Sequence, residues 1–239
     1  MPKVGSEQVA MSTASDSITR TDCIQVIVLA LIAGYVDSFT LINFQVFASF
    51  MSGNTTESGL HAGQGMLASA AYRLLPVPLF VIGVAISTLL LAGPRPWRIC
   101  RLWGIVAALL AASATVMLLR PPGGWLCVVL LSFAMGVLNA SMTQVGGQTV
   151  GLGYVTGDLY NLGRCLGLVV RGDPTLEGQT AWDAYGWRVA ILTSVWTAFL
   201  LGAVLGGVGI LMAGKWVLMA PLAALFMLMV HDRNLSARH

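Results

Sequence analysis

Gly34-Tyr-Val-Asp37, followed by Ser52-Gly53-Asn54, returns later in the chain as Gly136-Val-Leu-Asn139 followed by Thr156-Gly157-Asp158. Gly34/Gly136 and Asp37/Asn139 are each 102 positions apart. Gly53/Gly157, Asn54/Asp158, Gly59/Gly163 and Gly63/Gly167 are each 104 apart. Six pairs related by one two-residue slip read as an internal duplication. The repeated polar letters lie inside or beside the most apolar stretches, where polar groups are expensive. Duplicated halves with interrupted hydrophobic segments in matching places point to a transporter-type membrane protein.

The composition around these motifs agrees. Of 239 residues, 56% are hydrophobic and only 10% charged, with a mean hydropathy of +0.80. Soluble domains carry about 25% charged residues, so one soluble core would not hide this much apolar surface. An all-α integral membrane protein with one membrane domain over 24–232 is expected. The net charge of +3 is too small and dispersed for nucleic-acid binding. Cys23, Cys100, Cys127 and Cys165 form no Cys-x-x-Cys pair, and His61, His231 and His239 form no i, i+4 pair. Neither a metal nor another cofactor is expected.

Six apolar runs approach the roughly 20 residues a bilayer helix needs: 24–42, 74–91, 102–119, 125–143, 189–210 and 216–230. With the N-terminus inside, ten Lys and Arg residues fall on the cytoplasmic side, among them Arg20, Arg95, Arg98, Arg101, Arg164, Arg171 and Arg188. Arg73, Arg120 and Lys215 fall on the other. That asymmetry predicts an inner-membrane protein with both termini cytoplasmic. An eight-span alternative would export the Arg95/Arg98/Arg101 cluster and leave Arg164 in the membrane. Residues 1–23 are polar and lack the features of a signal peptide, so a disordered tail is expected there, with a short C-terminal tail at 233–239.

Three spans per repeat, 24–119 and 125–230, make the second half enter from the opposite side, so the halves are expected to be inverted. Arg73 and Arg188 each precede the second span of their half, after Tyr72 and Trp187. The insert around 171–185 reads as a solvated loop. Trp97, Trp103, Trp125, Trp187 and Trp216 lie near span ends and read as interfacial anchors.

Within each motif, Asn54 with Glu57 three residues on resembles a capping box, and Asp158 is placed to cap in the same way. Gly59-x-x-x-Gly63 and Gly163-x-x-x-Gly167 would then give each short helix a flat packing side, as would Gly202-x-x-x-Gly206 and Gly83-x-x-x-Ser87 elsewhere. A cap and a packing glycine need no further role. Asp37 is different, because a carboxylate within an apolar span is costly unless paired, protonated or hydrated. Asp37, Ser52, Gly53, Asn54, Asn139, Thr156, Gly157 and Asp158 are the candidate residues for binding a small polar solute or ion. If the halves fold face to face, each carboxylate meets an amide of the other motif. Gln144 and Gln148 are placed to line the second motif's entry. Enzymatic acyl or phosphoryl transfer has one candidate pair, Ser52 with Asp37, and no histidine nearby, so an enzyme is not expected. The sequence leaves homo-oligomerisation open; besides the bilayer and the solute it indicates no partner.

Gly34-Tyr-Val-Asp37-Ser-Phe and Phe50-Met-Ser-Gly-Asn54-Thr, with Phe133-Ala-Met-Gly136-Val-Leu-Asn139-Ala and Val155-Thr-Gly157-Asp158-Leu, resemble the paired motifs of the YoaK-type family of bacterial multi-pass membrane proteins of unknown function. The resemblance covers about residues 20–232 and implies an inner-membrane location with about six spans. It supplies no substrate and no catalytic residue. Ser52, Asp158 and Leu138 depart from that family's usual Thr, Asn and Gln. A transporter or permease is the expected function, a non-transporting membrane scaffold the alternative.

Overall fold

The computed structural model of the protein describes residues 20–90, 95–119, 124–141, 155–172 and 181–236. Over these the chain is helical: α1 Arg20–Phe44, α2 Met51–Gly63, α3 Leu67–Leu74, α4 Pro76–Leu90, α5 Arg95–Leu119, α6 Trp125–Ser141, α7 Val155–Arg171, α8 Ala181–Ala213 and α9 Met219–Ser236. The runs 24–42, 102–119 and 189–210 each lie within one helix; 74–91 runs from the end of α3 through α4, 125–143 follows α6, and 216–230 reaches α9 from a 3₁₀ turn, with residues 91, 142 and 143 outside the described residues. Among the described residues four stretches have the length and apolarity to cross a membrane: Cys23–Phe44, Leu67–Leu90, Cys100–Leu119 and Tyr185–Trp216. The helix Trp125–Ser141 is apolar but shorter. The tail before residue 20, Gln144, Gln148 and most of the 171–185 insert lie outside the described residues.

Local chemistry sets the breaks. Gln45, just past α1, takes a left-handed φ of 58°, which ends the helix because continuing it would need the right-handed region. Pro76 opens α4, a position where its missing N–H costs nothing. Gly172 and Gly214 follow α7 and α8 at φ 68° and 52°, the left-handed conformation that glycine adopts without penalty.

The core forms where the first helix of each half packs on a helix of the other: α1 on α8, and α6 on α4. A Cβ on Gly34 would collide with the Phe199 carbonyl oxygen, and one on Gly202 with that of Leu31. A Cβ on Gly136 would collide with the Phe80 carbonyl, and one on Gly83 would meet that of Phe133. Both crossings are therefore backbone against backbone, closed to any larger side chain. Ser38 Oγ donates to the Ala203 carbonyl at 2.9 Å, which fixes the α1–α8 register. The faces Gly83-x-x-x-Ser87 and Gly202-x-x-x-Gly206 are both used, with Ser87 fully buried. Gly59, Gly63, Gly163 and Gly167 behave otherwise: a Cβ at any of them meets nothing. Among the described residues the flat sides expected on α2 and α7 are therefore outward faces, not packing seams.

Asp232 of α9 joins three helices, accepting from Gln25 Nε2 on α1 at 2.9 Å and from the Cys100 thiol on α5 at 3.5 Å. Trp125, Trp187 and Trp216 are exposed, as interfacial anchors would be. Trp103 is not an anchor. It is fully buried, its indole N–H donating to Ser141 Oγ at 3.2 Å, because a buried indole is tolerated where its N–H finds a partner.

Candidate functional site

Asp37 lies on α1 one turn beyond Gly34, so the close α1–α8 crossing sets its depth. Its side chain is buried. Oδ1 accepts from the Ser49 backbone N–H at 2.7 Å, and Oδ2 accepts from the Ser49 hydroxyl at 2.7 Å. The Ala48 backbone N–H adds a third donor. All three donors come from the short connection between α1 and α2, so the carboxylate lost from water is bonded again by one local loop.

Asn54, buried on the first turn of α2, holds the same loop from the other side. Its Oδ1 accepts from the Phe47 N–H at 2.9 Å, and its Nδ2 donates to the Phe47 carbonyl at 2.7 Å. An amide is the neutral side chain that does both jobs at once. The expected capping box is not formed. Phe50 occupies the N-cap without a side-chain bond, and Asn54 sits a turn inside the helix, so its amide reaches back to the loop rather than to the helix end. Gly53 is needed for closeness, since a Cβ there would collide with the Phe50 ring. Ser52 is exposed. It makes no bond to Asp37, whose oxygens Ser49 occupies.

Arg73 on α3 completes this end. Its Nη1 donates to the Gln45 carbonyl at 2.5 Å and lies 3.1 Å from Glu57 Oε2 on α2, with His61 Nε2 3.9 Å from the same oxygen. Ser58 Oγ donates to the Ala70 carbonyl at 2.9 Å, holding α2 against α3.

The second motif is not a copy. Asn139 donates Nδ2 to the Met135 carbonyl of its own helix at 2.9 Å. Asp158 lies in the first turn of α7, inside the helix and not at its cap. It is buried, and its Oδ2 has no hydrogen-bond partner among the described residues. The helix α7 is not among the stretches with a span's length and apolarity. Burial there pushes the Asp158 carboxyl up to about 7, because the ionised form loses its water. Gly157 is buried and Thr156 exposed.

The structure thus gathers Asp37, Gly53 and Asn54 around residues 47–49, and Gly157 with Asp158 at the start of α7. The expected meeting of each carboxylate with an amide of the other half does not occur at Asp37: its partners are Ser49 and Ala48, because the α1–α2 connection is short enough to fold back over it. Sequence reasoning missed Ser49, Phe47 and the Glu57–Arg73 pair. Phe47 acts through its backbone and carries no letter that reveals it; the serine within Phe47-Ala-Ser-Phe50 was a readable signal. Among the described residues no three His, Cys, Asp or Glu side chains converge as a metal site would require.

A family model described as "Protein of unknown function (DUF1275)" matches residues 25–231. The UPF0700 transmembrane protein RA0705 of Rhizobium meliloti is 34% identical over 200 residues, which are 83% of this chain and 81% of that protein. No solved structure matches.

Proposed function

The chain belongs to the DUF1275 family, multi-pass membrane proteins of unknown function, and on that premise we propose that it is a transporter or permease for a small polar solute or ion. In this reading the six apolar helices cross the inner membrane, both termini are cytoplasmic, and the halves are related by an axis in the membrane plane. The exchanged crossings support the inversion: α1 against α8 matches α6 against α4, each closed by paired glycines. The Lys and Arg asymmetry supports the orientation.

Each half then places a helix too short or too polar to span after its first crossing. At 1.5 Å per residue, α2 is about 20 Å long against a hydrocarbon core of about 30 Å; α7 is as long as α6 but carries Asp158, Asn161, Arg164 and Arg171, too polar for a span. Interrupted segments of this kind carry the binding sites of inverted-repeat transporters.

The observation that carries the proposal is Asp158. Its counterpart Asn54 is bonded through both side-chain atoms, whereas Asp158 keeps a buried carboxyl oxygen with no partner among the described residues. A proton, a metal cation or a donor group of a solute would satisfy that oxygen, and a group that titrates near neutrality can exchange its proton during a transport cycle. Asp37 holds the loop that follows α1. Flux into proteoliposomes under an imposed proton or sodium gradient tests the reading; a broad panel of ions and polar solutes with no protein-dependent flux would refute it.

A second reading, a non-transporting scaffold, is favoured by one set of contacts. Asp37–Ser49, Asn54–Phe47 and the glycine crossings all lock elements together, and dry packing of this kind needs no solute. The flux experiment separates the two.

A further inference from the structure

In the first half, the cation that joins the short helix to the following one is neutralised from within the chain. Arg73 on α3 meets Glu57 on α2 at 3.1 Å, with His61 one turn on. Moving by the repeat's 104-residue offset, Glu57 becomes Asn161 and His61 becomes Cys165. The cation of the second half is Arg188 on α8, and it faces those positions: Asn161, Arg164, Cys165, Leu168, Tyr185 and Arg188 line one cavity between α7 and α8. The acid has gone and a second arginine has been added.

The cavity measures about 70 Å³. One water needs about 10–15 Å³ on that measure, so a tetrahedral oxyanion fits. Arg188 is held with its guanidinium 5.8 Å from the centre of the Tyr185 ring, a cation–π contact that limits its rotation. Among the described residues no carboxylate lines the cavity; Asp158, one turn before Asn161 on α7, stands outside it. Two guanidinium groups and an amide donor on one cavity supply the charge and the N–H donors that phosphate oxygens accept from.

Depth narrows the ligand. Gly202 crosses α1 at Leu31, near the middle of that helix. Arg188 precedes Gly202 by fourteen residues, about 21 Å along the helix. The hydrocarbon ends about 15 Å from the midplane and the headgroup layer at about 20–22 Å, so the cavity stands at phosphate depth.

We propose that the cavity between α7 and α8, lined by Asn161, Arg164 and Arg188, is a phosphate-type oxyanion site, filled by an anionic lipid headgroup or by free phosphate. The external anion takes the place that Glu57 holds in the first half. This site is separate from Asp158 and stands whether or not the protein transports a solute.

The experiment uses the full chain in two settings. In detergent, inorganic phosphate is titrated at ionic strength matched with chloride while melting is followed. In nanodiscs of phosphatidylcholine with and without phosphatidylglycerol, melting and lipid retention by native mass spectrometry are recorded. A rise of about 2–4 °C at a concentration about fivefold above Kd is expected. A response to phosphate identifies a soluble ligand, and selective retention of phosphatidylglycerol identifies a headgroup; either supports the site. Arg188→Gln should remove the response. Asn161→Glu, which restores the acid of the first half, should remove it too while leaving the ligand-free protein as stable as the parent or more so. No response to either anion, or an undiminished response in Asn161→Glu, overturns the proposal.

Discussion

Ser49 donates both its backbone N–H and its hydroxyl to Asp37, one to each carboxylate oxygen, at 2.7 Å. A carboxylate placed in an apolar helix is thus bound by the loop that follows it. The loop is bound in turn by Asn54 through both polar groups of Phe47. The polar motif is therefore first a device that fixes how the chain leaves α1.

Asp37→Asn is expected to destabilise the protein, because its amide presents a donor where Ser49 already donates. A buried bond to a charged group that is lost or reversed costs about 1–3 kcal/mol. Ser49→Ala should cost a similar amount. The double variant should cost clearly less than the sum of the two, since both remove one contact. Thermal melting of the three proteins in one detergent checks this; additive losses would show that the contact does not hold the loop.

The glycines divide into two classes with opposite outcomes. Gly34→Ala and Gly202→Ala each drive a methyl group into a carbonyl of the facing helix, and overpacking of this kind costs about 1–3 kcal/mol. Gly59→Ala and Gly163→Ala add a methyl in open space on a helix, where alanine is favoured over glycine by about 0.8–1 kcal/mol. Melting temperatures should fall for the first pair and hold or rise for the second.

Much of the architecture was legible in the sequence, for a physical reason. A bilayer demands long apolar runs, and the described part of every run is largely helical. The exchanged crossings were partly legible, since Gly34, Gly136, Gly83 and Gly202 stand in repeated small-residue patterns. Gly59 and Gly63 show the same spacing and face outward, because spacing identifies a flat face and not what covers it. The loop contacts were hidden for another reason: Asn54 binds Phe47 through backbone atoms that every residue carries. Trp103 misled because closeness to a span end does not say which way an indole points.

Asp158 predicts a pH dependence with a definite sign. Its carboxyl titrates at about 7 in the folded chain, above the ordinary 3.8, so the folded state holds the proton more tightly. The stability it contributes is complete below about pH 4 and is lost as pH rises through about 7. The melting temperature should fall between about pH 4 and pH 7 and level off above, and Asp158→Asn should remove that decline. An unchanged slope in the variant would mean that another group titrates.

Proton- or sodium-driven flux through reconstituted Asp158→Asn protein, compared with the parent and with Asp37→Asn, tests the transport reading most directly. The account predicts a parent that moves at least one small polar solute or ion, and an Asp158→Asn variant that folds and melts at or above the parent at pH 8 yet carries no coupled flux. Asp37→Asn should lose flux only in proportion to the folded protein it loses. An Asp158→Asn variant that transports as the parent does, or a parent that moves nothing, would contradict it.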